Sequence, residues 1–207
     1  MAGWRPARHT AHPLAALPGR DLTVYGLRKF LRLALNGNPT ILIPLYAVGD
    51  AVVLLTPLGA ELRELAPKLV SRAASHRFLG YLDSQRERML GGGRQSKVPN
   101  RPELVARHGY DTKYASHALR LGRQGVELTM TGRLTLPMPP SDLEQCLAVK
   151  RGEVDFQRAL ALIDAARAEL ADVIDTGRGV LPAEPDRDAV NAWAVSAHRR
   201  HWAEHGL

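Results

Sequence analysis

Between Val154 and Asp175 the residues Phe156, Leu160, Ile163, Ala166, Leu170 and Ile174 recur every three or four positions. That spacing makes one apolar stripe along an α-helix. The pattern returns along the chain. Leu27, Phe30, Leu31 and Ala34 form one stripe, and Leu69, Val70, Ala73, Ala74, Phe78, Tyr81 and Leu82 form another. A stripe of this kind must be buried against a partner, so the chain must pack helix on helix. Aromatic residues are only 5% of the 207, which leaves the core to Leu, Ala and Val and favours helices over sheets.

Glycine and proline punctuate these stripes. Asn36-Gly37-Asn38-Pro39 stops the first helix and opens the next, because Gly supplies a left-handed cap and Pro suits a first turn. Thr56-Pro57 starts a helix to about Ala66, and Pro67 starts one that runs to Leu90. Gly91 to Asn100 (GGGRQSKVPN) reads as a flexible basic loop. Pro102 opens a central helix to about Arg123, with Gly122 and Gly125 bracketing its end. Ser141 to Glu144 carries a capping-box pattern. A final helix spans Asp186 to His205, with Val190, Trp193, Ala194, Ala197 and Trp202 as its apolar residues. Two short stretches, Asp21 to Tyr25 and Ala51 to Leu55, have strand-like composition.

Net charge is +7 with a pI near 10.0, which suits either a phosphate-bearing partner or mere solubility. A single cysteine, Cys146, excludes an internal disulfide and a cysteine-rich zinc site. It points to a reducing, cytoplasmic location. No apolar run approaches the roughly 20 residues of a membrane span. Residues 1–20 are basic, acid-free and rich in proline, and read as a disordered arm.

The densest set of working polar groups lies between Arg107 and Pro137. On a helix Lys113, His117 and Arg120 fall at i, i+4 and i+7 and share a face. Tyr114, Ala118 and Leu121 make a second, apolar face. A cationic helix face pairs with phosphate oxygens, or is simply a solvated basic surface. Other chemistry is weakly marked. There is no GxxxxGK[ST] phosphate loop, and Gly91-Gly92-Gly93 follows a helix rather than a strand. His198, His201 and His205 share a helix face and offer a metal site or a solvated tail. Cys146 has nothing beside it in sequence that would activate a thiol.

Several blocks together resemble a known family. They are Asp21 to Phe30 (DLTVYGLRKF), Leu35 to Thr40 (LNGNPT), Phe78 to Tyr81 with Gln85 and Arg86, and Lys113 to Leu121 (KYASHALRL). Thr131 to Pro137 (TGRLTLP) and Arg151-Gly152-Glu153 continue the series. In this order they resemble the bacterial and phage predicted nucleotidyltransferases of the DNA polymerase beta superfamily, over roughly Asp21 to Trp202. The family begins with a Gly-Ser turn and an Asp-x-Asp carboxylate pair; neither precedes Asp21 here, so the sequence looks like an N-terminally truncated member.

The resemblance implies a mainly α (α+β) fold: a helical domain with the remnant of a small mixed sheet at the N-terminus. It divides the chain into a basic arm (1–20), a catalytic-domain remnant (21–56) and a helical substrate-binding domain (57–207). It implies transfer of a nucleoside monophosphate from an NTP to an acceptor, which could be RNA, a protein side chain or a small compound. Asp21 would be the catalytic carboxylate and Mg²⁺ ligand. Lys113, His117, Arg120, Arg133, Tyr81 and Gln85 would face the nucleotide or acceptor, while Asp111, His108 and Tyr110 also suit helix-capping roles. Two Mg²⁺ about 4 Å apart serve such a transfer, and one carboxylate cannot hold both. The alternative is a non-catalytic basic helical module that binds nucleotide or RNA.

Overall fold

The computed structural model describes residues 23–92 and 101–206. The described chain forms ten α-helices: α1 Leu27–Leu35, α2 Pro39–Tyr46, α3 Pro57–Glu64, α4 Ala66–Leu69, α5 Arg72–Met89, α6 Pro102–His108, α7 Thr112–Thr131, α8 Pro140–Arg151, α9 Phe156–Asp175 and α10 Arg187–His205. The expected sheet remnant is corrected by this architecture. Among the described residues there is no strand. Residues 23–26 are irregular, and the second strand-like stretch begins as a 3₁₀ turn, Gly49–Ala51, and continues with Val53, Leu54 and Leu55 exposed. A β-rich composition makes a strand only when a neighbour supplies ladder bonds, and neither stretch has one. Asp21, the arm and residues 93–100 of the basic loop lie outside the described residues.

Helices α5, α7 and α9 form the centre of one hydrophobic cluster that also takes in Leu31 and Ala34 of α1 and Leu42 of α2. The central helix expected from Pro102 is two helices. Gly109, at φ +80°, ends α6 in the left-handed region; Tyr110 is buried, and its hydroxyl donates to the Val154 carbonyl at 2.9 Å. Asp111 then caps α7 by accepting from the Lys113 and Tyr114 amides at 3.0 and 3.1 Å. Helix α7 runs past Arg123 to Thr131, so Gly122 and Gly125 lie inside it instead of closing it. A β-carbon on Gly122 would sit 2.8 Å from the Ala166 methyl, and one on Gly125 2.6 Å from Leu170 Cδ2. These glycines serve close helix approach, which outweighs their low helix propensity.

Helix α2 braces the centre. Gly37, at φ +69°, comes so near α5 that a β-carbon would lie 2.4 Å from Ala74 Cα. Asn38 caps α2 through the Thr40 amide and donates its side-chain amide to the Tyr81 hydroxyl at 3.1 Å. At the other end of α2 the Tyr46 hydroxyl donates to the Gly132 carbonyl at 3.3 Å. Three of the sequence blocks are thus tied together by one short helix. Helix α10 is clasped on one side by Glu61 of α3, which accepts from Trp193 Nε1 at 2.9 Å and from the Arg200 guanidinium at 2.6 and 2.5 Å.

Gly122→Val should destabilise the protein by about 1–3 kcal/mol, the usual cost of overpacking a close helix contact. Thermal melting followed by circular dichroism checks it. An unchanged midpoint would mean that α7 and α9 can separate freely.

Candidate functional site

Helix α5 carries charge on two sides, and the sides differ. Towards α9, Arg86 Nε lies 2.6 Å from Asp164 and Asp83 lies 2.6 Å from Arg167 Nε. These partly exposed pairs neutralise each other and add at most about 1 kcal/mol each. On the other side Arg77, Tyr81, Ser84 and Arg88 follow at i, i+4, i+7 and i+11. With His76, Gly80 and Gln85 they line a concavity of about 460 Å³ that contains no carboxylate. Neither Arg77 nor Arg88 forms an ion pair among the described residues.

Helix α7 continues this surface. The Arg88 guanidinium sits 5.9 Å from the Tyr114 ring centre, and Arg101 lies 4.8 Å from the same ring, within cation–π reach. His117 is half-buried, and burial pushes its pKa down to about 4, with help from the charges of Arg120 and Arg88. At neutral pH this favours the uncharged imidazole. Arg120 is also half-buried, and its Nε has no hydrogen-bond partner among the described residues. Burial lowers its pKa, while the nearby Cys146 acts in the opposite sense. A buried guanidinium nitrogen without an acceptor is costly, and an oxygen of a bound anion would relieve it. Burial also pushes the Cys146 thiol up to about 11, so it stays protonated. Lys113 is exposed at the start of α7.

Of the six residues expected to face ligand, Tyr81 and Gln85 line the α5 concavity with Arg88, His117 lies within electrostatic reach of Arg88 and Arg120, and Arg120 stands by Cys146 of α8; Lys113 is one turn before His117. Arg133 stands apart, beyond the end of α7 and roughly 30 Å along the axis from Lys113. It lines a second concavity of about 860 Å³ with Tyr46, Arg63, Glu64 and Glu127. Burial pushes the Tyr46 hydroxyl up to about 12, against the lowering effect of Arg133. Arg63 is occupied there by the Leu45 and Ala47 carbonyls at the end of α2. Asp111 is a cap and pairs with Arg101 at 3.0 Å, while His108 packs on Gly152. Both are structural.

The described residues do not fit a Mg²⁺ pair. Asp21 lies outside them. The one group of His, Cys, Asp and Glu among them with ligand atoms close enough for a metal is His201, Glu204 and His205, all exposed at the end of α10. Two imidazoles and one carboxylate are the wrong donors for Mg²⁺, which takes oxygen.

Arg77 and Arg88 were missed in the sequence, although the signal was available. Their spacing with Tyr81 on α5 is the same kind of helical register that marks Lys113 and His117 on α7.

The depressed pKa of His117 has a testable sign. Unfolded, the group titrates near 6.5; folded, near 4. Between these values the unfolded chain binds more protons, so stability present above about pH 6.5 is lost as pH falls towards 4. His117→Gln should make the melting temperature fall less than wild type across that window. Parallel curves would mean that His117 titrates normally.

A family model described as RlaP, RNA repair pathway DNA polymerase beta family, matches residues 18–194. No curated protein and no solved structure matches the chain significantly. The family match covers α1 to α9 and the start of α10, including every sequence block that α2 ties together. The chain belongs to the RNA repair pathway DNA polymerase beta family and is a nucleotidyltransferase-like protein of the polymerase beta superfamily.

Proposed function

We propose that the chain serves nucleotidyl transfer to an RNA acceptor, and that the α5–α7 surface holds the phosphates of the NTP. In the reaction an acceptor oxygen bonds to the α-phosphorus, the α–β bridge breaks and pyrophosphate leaves. The described helices supply substrate holding. Carboxylate chemistry on the acceptor oxygen is expected of Asp21; the described residues do not hold the ligands of a Mg²⁺ pair.

The observation that carries the reading is the lining of the α5 concavity: Arg77, Arg88, His76, Tyr81, Ser84 and Gln85, with no acidic group. Such a surface repels nothing on a polyphosphate and supplies both charge and neutral donors. The Tyr81 hydroxyl accepts from Asn38, which leaves its own proton to donate to a ligand. His117, being neutral, suits a ribose hydroxyl or base edge better than a phosphate. The family description names an RNA repair pathway, which favours an RNA end as acceptor over a protein or small compound.

Calorimetric titration with ATP, GTP, CTP and UTP, with and without Mg²⁺, tests this. Binding should weaken steeply with added salt. Arg88→Ala and Arg120→Ala should each weaken it about tenfold or more, the loss of one charge-assisted contact of about 1.5–3 kcal/mol. Nucleotide affinity that neither substitution changes would sink the assignment. Mg²⁺-independent binding with no transfer of label from α-labelled NTP to RNA would favour the non-catalytic binding module instead.

A further inference from the structure

We propose that the groove between α1 and α10 is a docking site for an acidic amphipathic helix of a protein partner. The groove is about 590 Å³ and lies on the face of α10 turned away from the Glu61 clasp. Leu31 and Val190 form its buried floor, and Leu35 and Ala194 its half-buried walls. Val195 and Trp202 stand 43% and 48% exposed at its edge. Val195 and Trp202, seven residues apart on one face of α10, leave large apolar side chains open beside the half-buried Leu35 of α1, and open apolar side chains grouped in this way mark an interaction surface. An elongated aliphatic trough of this kind takes the apolar face of a helix.

The rim selects the charge of the occupant. Arg28, Arg32, Arg187 and Arg199 surround the trough, and no carboxylate lines it. None of these four forms an ion pair among the described residues. A second copy of the chain would bring eight arginines face to face. Residues 1–20 of the chain itself contain no Asp or Glu and carry Arg5, Arg8 and Arg20, so they are repelled as well. Nucleic acid would match the charge of the rim, and His198 and Trp202 offer rings at one end, but the floor and walls of Leu31, Leu35, Val190 and Ala194 are aliphatic and give bases no stacking platform. Glutamates flanking a leucine face satisfy both the rim and the floor.

The test uses the full chain and three fluorescent probes in anisotropy titrations. One is an 18-residue helical peptide with leucines on one face and glutamates flanking them. The second has lysines in place of the glutamates, and the third is a 12-nucleotide single-stranded RNA. The acidic peptide should bind at least tenfold more tightly than the basic one. Val195→Asp, and separately Arg28→Glu combined with Arg32→Glu, should each weaken it at least tenfold, with the melting temperature and NTP binding unchanged. No binding of the acidic peptide, or equal binding of both peptides, overturns the proposal. RNA binding that the same substitutions abolish also overturns it and makes the groove a nucleic-acid surface. Because the α5–α7 surface is not altered, failure here leaves the nucleotide reading standing.

Discussion

Two missing side chains set the geometry on which the rest of the molecule depends. Gly122 and Gly125 let α7 lie directly against the Ala166 methyl, Leu82, Phe78 and Leu170, so one helix is gripped by α5 and α9 at once. Close approach of this kind increases dispersion contact and buries Phe78, Leu82, Leu119, Ile163 and Leu170 completely. It also fixes the rotation of α7. With the small side facing its neighbours, His117 and Arg120 turn towards the edge of the bundle and Lys113 into solvent. The buried bond from Thr129 Oγ1 to Ser75 Oγ at 2.7 Å sets the same register between α7 and α5 near the other end.

That rotation sorts the charges. Basic groups turned towards α9 and α8 find acids: Arg86 with Asp164, Arg167 with Asp83, and Arg123 with both Asp142 and Glu169. Those on the other side of α5, and Arg120, find none among the described residues. Among the described residues, cations without an ion pair include Arg77 and Arg88 on the α5–α7 surface and Arg28, Arg32, Arg187 and Arg199 along the α1–α10 groove.

What the sequence made legible follows from local physics. Caps and stops at Asn38, Thr56, Asp111 and Asp186 fall where short polar side chains reach free backbone amides. The apolar stripes of α1, α5 and α9 turn towards the core, apart from Ala73, which is exposed. The failures come from tertiary context. Gly122 and Gly125 look like helix ends because glycine usually is one; only the position of α9 shows why they are inside. Ala51 to Leu55 looks like a strand because nothing in five residues reveals that no partner strand exists. Of the apolar residues of α10, Val190 and Ala197 are buried, while Trp202 stands at a groove edge. Of the residues the resemblance implied, Tyr81 and Gln85 share a concavity on α5, whereas Arg133 lines another one beyond the end of α7.

The blocks shared with the family divide by function once α2 is considered. Gly37 cannot carry a β-carbon, Asn38 caps one helix while holding Tyr81 of another, and Tyr46 reaches the Gly132 carbonyl. None of these needs a ligand to explain its place. Tyr81 is the exception, because its hydroxyl accepts the Asn38 bond and still has a proton to give at the mouth of a concavity lined with cations. A residue fixed by the scaffold on one side and left with an unused donor on the other is preorganised: it loses little side-chain freedom when a ligand arrives. The rigid brace of α2 and the binding surface of α5 are thus joined at one hydroxyl, and changes in the brace should be felt by the ligand without touching it.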